Sequence, residues 1–323
     1  MESPQQILEA VNGYQASRVI LSAIELRIFS ILKTKMMTSA EIAEEAGTEE
    51  RATDRLMNSL CALELLRKKN GKFYNTPVAS QYLVESSDDF MAGLMHTNHL
   101  WDSWSTLSEC VKKGTKVYKS STNNHWTKAF IQAMHFRGKD QAKILKYMID
   151  FSSVSKFLDL GGGSGAFSVE FAGMKEDIRG FLLDLPAVLP ITEEFVKKEK
   201  VAEKISLLEG NYLKDDIGSG YDMIFFSAVI HSNSYDENKM LMGKCFKALN
   251  KGGEVIIVDY IMQEDRILPA RGAFFALNML VNTTAGDTYT FDEINEWFTS
   301  AGFGSVKKKD TGFGSSMVIG KKR

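Results

Sequence analysis

Apolar residues in the first third of the chain recur every three or four positions, and in the second half they gather into short unbroken runs. The stretch ILEAVNGYQASRVILSAIELRIFSIL, residues 7–32, carries the helical period and reads as an amphipathic or largely buried helix. In TSAEIAEEAG, Thr38 and Glu41 stand at capping-box spacing and Gly47 follows as a stop, which predicts a second helix between them. A third is predicted in EERATDRLMNSLCALEL, residues 49–65. LLRKKNGKFYNTP then offers two short strands around Asn70–Gly71, a dipeptide suited to a tight hairpin turn. Helix, turn, helix and hairpin together make a winged-helix pattern.

The period changes near Ser152–Ser155. VSKFLDL, IRGFLLDLP, YDMIFFSAVI and GGEVIIVDYI are apolar runs of strand length separated by helix-length polar segments. That alternation predicts a parallel sheet with helices on both faces. The third run is read as a strand reaching Ile230, with His231 where it turns polar. SVKKKD and SSMVIGKK are separated only by TGFG, too short for a helical crossover, so the sheet is expected to end in an antiparallel hairpin. Between the two halves, LMHTNHLWDSWSTL and NNHWTKAFIQAMHFRGKDQA hold four of the five histidines and three of the four tryptophans. A helical connector with a core stripe explains each singly; together they would line a pocket for a flat organic ligand. The fold class expected is α/β. A mainly helical winged-helix domain spans 1–95, a helical connector 96–151, and a Rossmann-like, mostly parallel sheet domain 152–323.

A winged helix invites a DNA-binding reading, and the charges argue against it. The candidate recognition helix sets Arg51 and Arg55 against Glu49, Glu50 and Asp54, so its face is not basic, and the wing's Arg67, Lys68, Lys69 and Lys72 suit a solvated turn. Burial of the apolar N-terminal helix against a second subunit fits better. A net charge of -2 makes no case for nucleic acid or an anionic membrane. MESPQQILEA lacks a basic stretch followed by an apolar one, and no apolar run approaches the roughly 18 residues of a membrane span. Cys61, Cys110 and Cys245 are scattered and form no C-x-x-C pair, which fits a reducing compartment and no structural zinc. A cytoplasmic protein without a metal is expected.

FLDLGGGSGAFSVEFA is the most informative stretch. A strand ends at Leu160, and Gly161, Gly162, Gly163 and Gly165 carry the chain into a helix, as a loop does where backbone must approach a ligand. Asp159 precedes the loop, and the next strand ends in Asp184, where an acid can bind ribose hydroxyls. A dinucleotide site would want G-x-G-x-x-G, and no Walker lysine is present. Asp159 would oppose a polyphosphate but suits a cation, which favours S-adenosylmethionine over NAD.

With these motifs the chain resembles the S-adenosylmethionine-dependent small-molecule O-methyltransferases that carry an N-terminal winged-helix dimerisation domain, the family of plant caffeate, bacterial antibiotic and acetylserotonin methyltransferases. LDLGGGSG, LLDLP, LLEGNYLKDD, HSNSYDEN, ALNKGGEVIIVDYIM and TYTFDEINEWFTSAGF carry the likeness along nearly the whole chain. It implies a homodimer and methyl transfer to a small acceptor, leaving S-adenosylhomocysteine. It implies that Asp159, Gly161 and Gly163 touch the amino-acid end of the cofactor, Asp184 with Leu185 the ribose, and Asn211 and Tyr212 the adenine. Family members more usually have Asp at 211, and Ser227 falls near the cofactor where plant members have lysine. His231 takes the position of the general base and Asp259 that of an acid flanking it. An imidazole titrates near neutrality and can take a phenol's proton within hydrogen-bond reach.

The chain also departs from the pattern. Many relatives follow the base with Asp-Trp, and HSNSYDEN holds nothing to match the tryptophan. A second flanking acid usually precedes the tail, where AGDTYTFDE has Thr288 nearest and Asp287 one position away. Without that acid an amine, a thiol or a carbon acceptor becomes an alternative, with proximity doing most of the work. A non-catalytic relative that binds the cofactor, or a winged-helix regulator, is the alternative from outside the enzymes. The acceptor pocket is expected from Trp101, Phe130, Met134, Phe274, Phe275, Asn278, Met279 and Asn282. In FFALNMLVN, helical spacing sets Phe275, Asn278, Met279 and Asn282 on one face, and two asparagines in that stripe suit a polar acceptor.

Overall fold

The computed structural model describes residues 3–119 and 124–323, without the side chains of 124–126. The chain forms two compact units, Met1–Leu100 and Trp101–Arg323. Asn123, and the side chains of Asn124, His125 and Trp126 from the aromatic-rich connector, lie outside the described residues.

In the first unit the helical run at residues 7–32 is two helices, α1 (Pro4–Glu25) and α2 (Ile28–Leu32), because Arg27 takes a left-handed conformation between them. The capping box forms as its spacing predicts. Thr38 accepts the amide of Glu41 while the Glu41 carboxylate accepts the amide of Thr38, starting α3 (Ser39–Ala46), and Gly47 ends it at φ 65°. Helix α4 (Glu50–Ala62) follows. Strands β1 (Leu66–Lys69) and β2 (Lys72–Asn75) pair antiparallel about Asn70 and Gly71, both at positive φ as a tight hairpin requires. Helix α5 (Pro77–Tyr82) completes the winged-helix arrangement. Ile28, Phe29, Leu32, Ile42, Met57, Leu60 and Phe73 fill its core. On α1, by contrast, Ile7, Leu8, Val11 and Tyr14 lie exposed.

Helix α6 (Gly93–Ser105) runs across the boundary between the units. The second unit then contains α7 (Leu107–Lys113), α8 (Asn124–Leu145), β3 (Lys156–Leu160), α9 (Ala166–Ala172), β4 (Arg179–Asp184), α10 (Leu189–Val196), β5 (Ile205–Glu209), β6 (Tyr221–Ser227), α11 (Tyr235–Ala248) and β7 (Leu249–Asp259). The tail adds β8 (Ile261–Met262), α12 (Ala270–Asn282), β9 (Tyr289–Thr290), α13 (Phe291–Ala301), β10 (Ser305–Asp310) and β11 (Ser316–Lys321).

Seven strands form one sheet in the order β10-β11-β7-β6-β3-β4-β5, parallel from β7 through β5 and closed by the antiparallel β10–β11 hairpin. Both sheet faces are covered. Ile224, Phe226, Val255 and Ile257 pack with Leu241, Trp297 and Phe298 on one side, while Phe157, Phe225, Ile256 and Val258 pack with Phe171 and Met317 on the other. Burial on both faces is why these strands read as unbroken apolar runs. The chain builds outward from β3 to β5, then returns to build β6 and β7, so the order reverses between β3 and β6. Ligands of open α/β sheets bind outside the carboxyl ends of the strands at such a point. Among the described residues no helix is long and apolar enough to cross a membrane.

Thr38→Ala removes one half of the α3 capping box and leaves the Glu41 amide without its side-chain acceptor. The expected loss is about 1 kcal/mol, measured as a lower urea midpoint at unchanged slope.

Candidate active site

The glycine loop is shaped by what presses on it. Gly161, Gly163 and Gly165 all take left-handed conformations that L side chains rarely adopt. Gly162 does not, but a Cβ there would stand 2.6 Å from Leu182 Cγ and 2.9 Å from Asp159 Oδ2. The Gly163 peptide is held on both sides: its amide donates to Asp184 Oδ2 at 2.8 Å, and its carbonyl accepts the hydroxyl of Thr192 on α10. Asp184 also accepts the Leu185 amide at 2.7 Å. Leu185 itself is 48% exposed beside the loop.

Asp159 lies beneath the loop. It is 1% exposed, and its Oδ2 accepts the hydroxyl of Ser168 on α9 at 2.6 Å. Burial, added to by the nearby Asp184 carboxylate, pushes its carboxyl up to about 7 against the help of Ser168. Asp184 is raised as well, chiefly by burial. Among the described residues no lysine or arginine forms an ion pair with either acid, and both lie at the loop beside neutral donors. That is the environment a positively charged ligand relieves.

Beyond β5, Asn211 turns its side chain back on its own loop, Oδ1 accepting the Leu213 amide at 3.0 Å, while Lys244 on α11 donates to the Tyr212 carbonyl. The Tyr212 ring flanks the glycine loop: a Cβ on Gly161 would stand 3.7 Å from its Cε1. Strand β6 stops at Ser227, half-buried, three residues short of the expected Ile230. The cause is Ala228, at φ 58°, whose amide makes a last bond to the Val258 carbonyl before the chain leaves the sheet. A 3-10 turn, Ile230–Ser232, then carries His231.

His231 and Asp259 come together. His231 Nδ1 stands 2.9 Å from both carboxylate oxygens, with the two residues 8% and 4% exposed. Asp259 Oδ1 also accepts the Tyr260 amide at 2.8 Å, fixing the carboxylate on the end of β7. With Nδ1–H turned to a carboxylate, the neutral ring keeps its Nε2 lone pair as an acceptor. Phe275 packs its ring at 88° to the imidazole with centroids 4.7 Å apart, and Tyr260 lies 5.0 Å from Phe275. Asp287 takes another partner: its Oδ2 lies 3.7 Å from Arg266 Nη1. Thr288, the other position at which the second flanking acid was sought, is buried beside it.

The helices add the outer wall. Trp104 Nε1 donates to Asn278 Oδ1 at 2.9 Å, and Asn282 Nδ2 donates to the same oxygen at 3.1 Å. Trp101 lies one turn before Trp104 on α6. Met279 is buried on the same α12 face, whereas Phe274 is 68% exposed. On α8, Phe130 packs with Ile131, Val188 and Ile191, and Met134 follows it by one turn. Arg137, the next position of that stripe, donates to the Tyr260 hydroxyl at 3.3 Å, which turns the stripe toward the end of β7. Sequence reasoning missed Trp104, Ser168, Arg137, Asn233 and Asn238. Trp104 had a signal in its three-residue spacing from Trp101. The last two had one in Ser234 and Glu237, which form a capping box at the start of α11.

An acid whose folded pKa is raised holds its proton more tightly when folded. Asp159 therefore favours the fold below its unfolded value of about 4, and stability falls as pH rises toward the folded value of about 7. Asp159→Asn keeps an acceptor for Ser168 and removes the titration. The variant of the ligand-free protein should show a urea midpoint that falls less than wild type between those pH values, a difference of at most about 1.4 kcal/mol per pH unit.

Comparison with known proteins agrees with this architecture. A family model described as the O-methyltransferase domain matches residues 108–304, and one described as the O-methyltransferase dimerisation domain matches residues 8–85. The chain is 26% identical over 313 residues to a 3-hydroxy-5-methyl-1-naphthoate 3-O-methyltransferase of Streptomyces sahachiroi, covering 94% of this chain and 90% of that one. It is 28% identical over 348 residues to the acetylserotonin O-methyltransferase of Gallus gallus, covering 100% of this chain and 98% of that protein. In fold it is similar to human N-acetylserotonin methyltransferase solved in complex with S-adenosylmethionine, with a TM-score of 0.86 at 23% identity over 100% of this chain and 98% of the other. Glycine loop, switch-point acids and paired family domains thus lead to one conclusion: this chain belongs to the O-methyltransferase family and carries that family's dimerisation domain ahead of its transferase domain.

Proposed function

We propose that the protein methylates a hydroxyl of a small, partly apolar or aromatic acceptor, with S-adenosylmethionine as donor, His231 as general base and Asp259 as the group that orients it. The observation that carries this reading is the His231–Asp259 pair at 2.9 Å on the carboxyl edge of the sheet. The cofactor supplies a methyl group on a positively charged sulfur. Asp184, Leu185, Gly161, Gly163, Asn211, Tyr212 and Ser227 would surround it, and the two uncompensated acids at the loop suit its charge. Asp184 keeps lone pairs beyond those its two amides use, enough to accept ribose hydroxyls. Asp159 acts from beneath, holding the loop through Ser168.

His231 Nε2 would take the acceptor's hydroxyl proton and leave the oxygen as nucleophile for the methyl group that the bound donor would supply. The imidazolium that forms is stabilised by Asp259. Phe275, Tyr260 and Met279 give the acceptor apolar surface, and the Trp104–Asn278–Asn282 ladder gives it a polar edge. A homodimer through the first unit, covering Ile7, Leu8, Val11 and Tyr14 of α1, accompanies this reading. Transfer to nitrogen, sulfur or carbon is the second reading. It is favoured by Asp287, which lies with Arg266, while Asp259 is the one carboxylate bonded to His231 among the described residues.

His231→Ala should bind S-adenosylmethionine with wild-type affinity by calorimetry and lose about 10²–10⁴-fold in kcat toward phenols. Asp259→Asn should lose less. Labelled cofactor offered to phenols, amines and thiols separates the readings: transfer to an amine or thiol that survives His231→Ala would sink the base-assisted hydroxyl mechanism. An absence of cofactor binding would remove both readings.

A further inference from the structure

The segment HSNSYDEN does more than carry His231, and its bonds run back to the cofactor loop. Ser234 caps α11, so Asn233 is the residue before the cap and Asn238 is the fourth residue of the helix. Chains entering a helix bring these two positions together, usually with an apolar pair. Here both are buried asparagines, and Asn233 Nδ2 donates to Asn238 Oδ1 at 3.0 Å. Asn238 Nδ2 in turn donates at 2.8 Å to the carbonyl of Ile230, in the peptide that joins Ile230 to His231. At the other end Asn233 Oδ1 accepts the Tyr212 hydroxyl at 3.2 Å. A peptide carbonyl can only accept. Ile230 therefore dictates the orientation of Asn238, Asn238 that of Asn233, and the Tyr212 hydroxyl must donate. Tyr289 closes on the same turn, its hydroxyl donating to the main-chain carbonyl of Asn233 at 2.6 Å.

We infer that Tyr212, Asn233 and Asn238 form a directed hydrogen-bond relay through which occupancy of the adenosyl loop sets the position of His231. The inference rests on the proposed readings of Tyr212 as a wall of the adenosyl site and of His231 as the base. The edge of the Tyr212 ring that faces Gly161 is Cε1, next to the hydroxyl, and the hydroxyl itself donates to Asn233, so a ligand that shifts this edge moves the donor that starts the chain ending beside the base. Consecutive buried donors polarise one another, which makes the chain stiffer than its separate bonds. Burial also pushes the Tyr212 hydroxyl up to about 12, so it remains a donor at neutral pH. Asn233 and Asn238 are positioning residues: they act on the reaction through the turn that holds His231.

Tyr212→Phe deletes the first donor and keeps the ring, and Asn238→Ala cuts the last link. Each is compared with wild type in cofactor affinity by calorimetry, in kcat and KM with the acceptor that the wild type methylates, and in the ¹⁵N resonances of the imidazoles. The His231 signals are assigned by their absence in His231→Ala. S-adenosylhomocysteine at saturation, with no acceptor present, should move the His231 resonances in wild type and move them far less in both variants. In both, kcat should fall about three- to tenfold, as loss of one buried hydrogen bond implies, with cofactor affinity and KM within about twofold of wild type. A partly lost fold also lowers apparent kcat at unchanged KM, so kcat is expressed per cofactor-binding site counted by calorimetry, with the melting temperature measured beside it. If the fully buried Asn238 does not tolerate alanine, Tyr212→Phe decides by the same readings. An equal His231 response in variant and wild type, or a wild-type kcat, overturns the relay. Failure of the wild type to bind S-adenosylhomocysteine or to methylate anything would instead overturn the reading beneath it.

Discussion

Strand β6 pairs in parallel with β3 on one side and β7 on the other, and the candidate site depends on that register. Asp159 stands opposite Phe225, and Ser227 opposite Val258. Three strands therefore surface together, with the glycine loop at the end of β3, His231 four residues past β6 and Asp259 closing β7. A slip of one residue would turn each side chain to the other face of the sheet. The apolar residues on both faces of β6 resist such a slip, since each face has its own packed core.

The acids on this edge are held in two different ways. Asp259 has the imidazole of His231 and the Tyr260 amide as donors. Asp159 and Asp184 have a hydroxyl and two amides between them and, among the described residues, no ion-paired lysine or arginine, and burial raises both. An uncompensated buried carboxyl destabilises its own charged form, so the ligand-free loop is costly in a way that a cationic ligand offsets. One acid of this edge is bonded to an imidazole, and the two at the loop are bonded only to neutral donors. Proteins keep such strained groups mainly where function uses them.

Local signals along the chain were largely legible. The Thr38–Glu41 capping box, the Asn70–Gly71 hairpin, the turn at Gly161–Gly165 and the closing β10–β11 hairpin each follow from residues a few positions apart. The same kind of signal misled at Ile230. Val229 and Ile230 continue an apolar run, yet Ala228 bends left-handed and ends the strand at Ser227. Residues 7–32 read as one helix for the same reason, since no glycine or proline marks the break at Arg27.

What the sequence determined by itself was everything set by neighbours in the chain: the helix caps, the turn glycines, the strand periods and the order of motifs that places this chain in its family. Tertiary structure alone decided which distant groups meet. Nothing local pairs His231 with Asp259, 28 positions on, or hands Asn278 to Trp104, or sends Asp287 to Arg266. It also turned Asp159 beneath the loop onto Ser168 and ran the chain from Tyr212 to Ile230 through two asparagines, one just before the α11 cap and one on the helix. Such pairings depend on the sheet's register and on helices packed across it, and a side chain's burial and partners exist only once those are in place.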